Sequence, residues 1–236
     1  MYLFPGLNLA FDPTYVLVII GLVITLIAQV KLKSTYAKYS KVESMSRLTG
    51  ADVARRILSA NGVYGVTVNP ISGSLTDHYD PGAKTVNLSE DVYGRTDIAA
   101  LGVAAHECGH ALQDFNGYAP LKFRNFMVPV ANIGAKFSWV FIIVGLILAK
   151  QTGVVFEIGL ILFSLSVFLQ LITLPVEFNA SNRALAQLEA LGIVTGEEKA
   201  GSKKVLSAAA MTYVAAAATA LLQLLRLILI FNRNRD

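Results

Sequence analysis

The chain has 236 residues, 54% of them hydrophobic and 15% charged, with a formal net charge of +4 and a mean hydropathy of +0.55. Soluble domains carry roughly 25% charged residues, so this composition excludes disorder and argues against a purely water-soluble chain of about one or two domains. Cys108 is the one cysteine, which excludes an intrachain disulfide framework, fits a reducing compartment, and reads as a small buried apolar residue. The basic residues sit at the edges of apolar stretches and show no phosphate-tracking run or stacking-aromatic signature, so no nucleic-acid partner is expected.

In chain order, the segment before residue 13 has no Lys or Arg and no small-residue cleavage pattern, which points to an uncleaved anchor rather than a removable signal. Residues 13–30 are uncharged and close to the roughly 20 needed to cross a hydrocarbon core. A polar helical continuation is expected over 31–46, then an amphipathic helix over 50–60 stopped by Asn61-Gly62. Weak alternation at 66–68, the stretch 74–79 and the stretch 85–88 after Asp80-Pro81-Gly82 predict a small antiparallel sheet. Thr96 or Asp97 caps a helix over 98–115, which Asn116-Gly117 ends.

Apolar stretches at 127–149 and 153–175, parted by Lys150-Gln151-Thr152, predict a membrane hairpin. Residues 177–191 continue from it as a helix, and 205–231 form the last apolar stretch. Within or near these stretches Lys136, Glu157, Gln170 and Arg226 must snorkel, pair or face a polar cavity. Alanines at 208–210 and 215–218 invite close helix packing.

Residues 31–128 hold eleven Lys and Arg and residues 177–204 four more, against Lys150, Arg233 and Arg235 beyond the spans, which places the water-facing segments in the cytoplasm. The arginines of the tail fit poorly outside, leaving the last stretch as a span or an interfacial helix. The expected divisions are an anchor at 1–30, a cytoplasmic α+β domain at 31–126, a transmembrane hairpin at 127–176, a cytoplasmic helix at 177–204 and a membrane or interfacial helix at 205–236. The fold class is a mainly α membrane protein with transmembrane helices and a small α+β domain, zincin-like in carrying the HExxH pattern His106-Glu107-Cys108-Gly109-His110 on a helix.

The chemistry concentrates in His106-Glu107-Cys108-Gly109-His110, an HExxH pattern on the predicted 98–115 helix. Positions i and i+4 differ by about 40° around a helix axis, so both imidazoles can address one zinc ion. Glu107 comes off the side of that face as a general base for a water that zinc activates. Gly109 permits close packing or substrate approach. A catalytic zinc needs a third protein ligand and an open position. Glu177 is favoured, as a carboxylate from downstream that completes the set without distorting a strand, and His78 is the alternative. Otherwise His78 is an oxyanion donor, an aid to substrate placement or a strand histidine with a local hydrogen bond. Asn179, Ser181 and Asn182 are candidates to support the ligands. Tyr79 is a weaker oxyanion candidate that also suits packing.

With HECGHALQ at 106–113, LTDHYDP at 75–81 and VEFNAS at 176–181, the chain closely resembles, over nearly its whole length, the neutral zinc metallopeptidase family of the YugP type. The resemblance implies a prokaryotic peptidase embedded in the plasma membrane, with His106 and His110 as zinc ligands, Glu107 as the catalytic carboxylate and Glu177 as the third ligand. More distantly the chain is similar to the HtpX and CAAX prenyl protease group, where an Asp follows the downstream Glu by four residues. Ser181 stands in that place, so Asn182 or another group is expected to take over the contact of that Asp to a zinc histidine.

The expected function is a membrane-anchored zinc endopeptidase acting on peptide or protein substrates, including membrane proteins, with the lipid bilayer as its other partner. The 74–79 stretch is expected to offer an edge to an extended peptide. An intramembrane protease is disfavoured because the apolar run before the motif is short and Asp114 follows closely. The non-enzyme alternative is a membrane scaffold or partner-binding protein with a non-catalytic zinc site.

Overall fold

The computed structural model describes residues 12–148 and 153–233. Residues 1–11 of the expected anchor at 1–30, the hairpin turn at 150–152 and Arg235 lie outside them. In chain order the elements are α1 (Tyr15–Tyr39), α2 (Gly50–Ala60), β1 (Thr67–Ile71), β2 (His78–Asp80), β3 (Thr85–Ser89), α3 (Glu90–Tyr93), α4 (Ile98–Phe115), α5 (Ala119–Ile147), α6 (Val154–Ala190) and α7 (Gly196–Arg233). By length and apolarity α1, α5, α6 and α7 can each cross a membrane, so this is a mainly α membrane protein.

The chain divides into two compact units, and the first takes in residues 1–27, 123–173 and 213–236. Its helices turn large apolar side chains outward, among them Leu22, Ile133, Ile161 and Leu221, as a lipid-facing surface requires. Inside, small residues bring backbones together: a Cβ at Gly145 would lie 2.6 Å from the Phe156 backbone. Arg226 lies 4.5 Å from the centroid of the Tyr15 ring, a cation–π pairing that answers part of the demand on a cation in an apolar stretch, while its buried Nε has no hydrogen-bond partner among the described residues. Ala215 and Ala217 are buried, in keeping with their expected packing role.

The second unit takes in residues 28–122 and 174–212. Thr49 and Asp52 close α2 with a reciprocal capping box. Its apolar face, with Val53, Ala54 and Ile57, packs in one core with Val86, Leu88, Val92, Leu101, Ala105, Cys108 and Leu188. Cys108 is fully buried, as expected. Asp97 caps α4 by accepting from the Ala100 amide.

Three local expectations change. The sheet is mixed, in the order β1-β3-β2, with β1 parallel to β3 and only β2 and β3 antiparallel. Alternation marks strands but not partners: β2 folds back on β3 through the Pro81-Gly82 turn, and β1 docks on the far edge of β3 with its direction unchanged. Strand β2 is also an edge of only three residues, because 72–75 form bends. Finally, α1 ends at Tyr39, short of the expected 46, and the chain turns before the Glu43–Asp97 bridge. By contrast, α6 runs unbroken through Pro175, joining the third apolar stretch and the expected 177–191 helix in one element.

Candidate metal centre

Helix α4 is built for close approach. Alanines and glycines fill much of it, and fourteen of its residues are buried. At Gly109 a Cβ would run into the carbonyl of Ala180, with the Ala180 Cα only 3.1 Å away. Here α4 and α6 cross almost backbone to backbone, so the packing half of the expectation for Gly109 holds. Around this crossing two i,i+4 pairs face each other, His106 with His110 on α4 and Glu177 with Ser181 on α6.

The Glu177 carboxylate, 2% exposed, lies between the two rings. Its Oε2 is 3.3 Å from His106 Nε2 and 3.5 Å from His110 Nε2, and the ring centroids are 4.8 Å apart, edge to face. One ligand atom from each of these three side chains lies within 4.8 Å of the others. Two imidazoles and one carboxylate are a donor set suited to zinc.

The electrostatics favour a cation. Burial disfavours the imidazolium of His110, but Glu177, Glu107 and Gln113 outweigh it and hold its pKa above the ordinary value. A deep carboxylate is costly unless paired, and a metal ion would supply that charge.

Gln113, which lies in the HECGHALQ stretch but had no expected role, settles which nitrogen of His110 is available to a metal. Its Nε2 donates to the Val176 carbonyl (2.8 Å) and to Asn179 Oδ1 (3.0 Å). Asn179 Oδ1 also accepts from Arg183 Nε at 2.8 Å. A carbonyl can only accept and a guanidinium can only donate, so both amides have one orientation. Gln113 Oε1 therefore faces His110 Nδ1 at 3.0 Å and requires a proton there, so Nε2, the nitrogen toward Glu177, is the one that can serve a metal once it is deprotonated. The available signal was a polar side chain on the buried face of α4, three residues beyond His110.

Ser181 Oγ lies 3.2 Å from His106 Nδ1. The serine thus makes the contact expected of Asn182 or another group, while Asn182 is exposed. The shorter side chain suffices because the glycine crossing brings α6 close. Asn179 supports His110 through Gln113, as its candidacy for ligand support anticipated.

Glu107 is 8% exposed, and among the described residues no hydrogen bond or ion pair holds its carboxylate. His78 is exposed on β2 and lies outside the three-residue group. Its Nδ1 donates to the Thr76 carbonyl at 2.9 Å and its Nε2 accepts from Asn87 Nδ2 at 3.1 Å, so both ring nitrogens are engaged locally. Tyr79 donates to Asp114 at 2.7 Å and packs against the core. Burial alone would raise the Asp114 pKa, but Lys84 and Tyr79 hold it below its ordinary value.

A family model described as "Putative neutral zinc metallopeptidase" matches residues 14–232. "Putative membrane protease YugP" of Bacillus subtilis (strain 168) is 50% identical over 209 residues, covering 89% of this chain and 92% of that protein. No solved structure matches.

Proposed function

Because the chain belongs to the neutral zinc metallopeptidase family, we propose that it hydrolyses peptide bonds at a zinc centre held by His106, His110 and Glu177, with Glu107 as the general base. What carries the reading is the convergence of two Nε2 atoms and one buried carboxylate at the α4–α6 crossing. A structural zinc usually has four protein ligands, whereas a catalytic one leaves a position open. Among the described residues the group has three.

Zinc, when bound, supplies a Lewis acid that activates water and polarises the scissile carbonyl. Glu107 takes the proton of the attacking water and returns it to the leaving amine. Gln113 keeps the His110 proton on Nδ1, and Ser181 accepts the corresponding proton of His106, so each ring turns Nε2 inward. His78 contributes to substrate placement only indirectly, through the shape of the β2–β3 hairpin that its two local hydrogen bonds hold. The Lys and Arg asymmetry supports a site on the cytoplasmic side, with exposed segments of membrane proteins as its substrates. Helix α4 is not among the four described helices able to span, which supports a water-facing site over an intramembrane one.

Elemental analysis of the detergent-purified chain should find one zinc per chain, lost in His110→Ala. A folded wild type that holds no zinc and takes none up would overturn the assignment. The support given to His110 has its own expected cost. Gln113→Leu removes the acceptor at Nδ1, and zinc affinity should fall about 10–100-fold, as for lost partners of metal-bound histidines. Competition against a chromogenic chelator measures it, and an unchanged affinity would mean that Gln113 only packs.

A further inference from the structure

A second site lies where α1 and α7 leave their apolar stretches. A cleft of about 420 Å³ is lined by Lys31, Ser34, Thr35, Lys38 and Tyr39 of α1, and by Lys204, Ser207 and Ala208 of α7, within the roughly 300–1,000 Å³ of ligand sites. Beside it a Cβ at Gly201 would lie 2.8 Å from Cε1 of the lining residue Tyr39, so the two helices touch at that point.

Three observations identify the occupant's chemistry. Three lysines converge on the cleft, and among the described residues none of them makes an ion pair. Neither wall offers a carboxylate: α1 contains no Asp or Glu, and α7 has none after Glu198, whose oxygens are taken up by Met45 and Ser44. Besides the lysines, the polar lining consists of hydroxyl groups, donors that suit phosphate oxygens. The depth is defined by sequence. Lys31 is the first charge after the apolar run of α1, and Lys204 is the last before that of α7, so the cleft opens at the level of the lipid headgroups.

We propose that this cleft binds a phosphate group, with the phosphodiester of an anionic phospholipid as its source. The three lysines neutralise the phosphate, while the hydroxyls of Thr35 and Ser207 add hydrogen bonds; that of Ser34 is engaged with the Lys31 carbonyl. Lys38 lies over the Tyr39 ring, 5.5 Å from the centroid, which restrains its head group at the rim. Basic pockets between membrane helices bind such head groups. The site is independent of the zinc reading and of which membrane face it occupies.

The test is native mass spectrometry of the full-length chain released from detergent, titrated with dioleoylphosphatidylglycerol, dioleoylphosphatidylcholine or inorganic phosphate. The cleft variant is Lys31→Gln/Lys38→Gln/Lys204→Gln. The control, Lys33→Gln/Lys41→Gln/Lys203→Gln, removes the same charge from exposed positions outside the lining. One phosphatidylglycerol should bind ahead of phosphatidylcholine, and the cleft variant should weaken it about ten- to a hundredfold while the control stays near wild type. Equal losses in the two variants would overturn the site in favour of general surface charge, as would a wild type that does not distinguish the two lipids. Inorganic phosphate bound with the same dependence on the cleft lysines, without preference for phosphatidylglycerol, would uphold the phosphate site but overturn the lipid as its source.

Discussion

Glu107→Gln should lower kcat/KM for peptide hydrolysis by about 10²–10⁴-fold, the contribution of a positioned general base, with zinc content unchanged. The substitution keeps size and shape at a residue 8% exposed. It breaks no hydrogen bond or ion pair among the described residues, so misfolding is not expected to accompany it. What it removes is the ability to take a proton from water and hand it on. Glu107 is also absent from the group of three close ligand atoms, which is why metal content and turnover should separate. The measurement pairs elemental analysis with turnover of quenched fluorescent peptides that the wild type cleaves. Activity within a few-fold of wild type would assign the base elsewhere.

Gly109→Ala should be the more disruptive change, although it adds one methyl group to a residue that contacts no metal. That methyl would meet the Ala180 carbonyl, a backbone group of α6 with no rotamer to escape into. Overpacking of this kind costs about 1–3 kcal/mol. The strain is relieved by parting α4 from α6, which withdraws Glu177 from the two histidines. A lower melting temperature and at least a tenfold loss of zinc affinity are therefore expected together. Gly102→Ala is the internal comparison on the same helix: its Cβ would meet Ser202 at 3.8 Å, an ordinary contact, and both quantities should stay near wild type. Similar behaviour of the two variants would refute the argument that the glycine crossing sets the site.

Much of this arrangement was legible wherever local rules decide it. The ends of α2 and α4 follow from Asn61 and Asn116 and the start of α4 from Asp97 as turns and caps, and the HExxH spacing placed both histidines on one face. Partnerships were harder to read. Nothing local told β1 to pair with β3 in parallel, because period-2 alternation is the same for either neighbour. Continuity was legible here: Pro175, despite its missing amide, does not end α6, in line with the expected continuation of the apolar stretch into 177–191, as helices with apolar spans often run on around a proline. Gln113 drew no notice because its role exists only when Val176 and Asn179, more than sixty residues away, fold back onto it.

That distant partner bears on how the site withstands sequence change. Side-chain amides can turn end for end at little steric cost, and a network made only of them would have two nearly degenerate states. Here one reference point is the main-chain carbonyl of Val176, a group that any residue at position 176 supplies. Substitutions along that part of α6 can alter packing, but they leave this acceptor in the covalent backbone. The choice of nitrogen on His110 therefore presents a small mutational target, concentrated at Gln113 and steadied by Asn179 and Arg183.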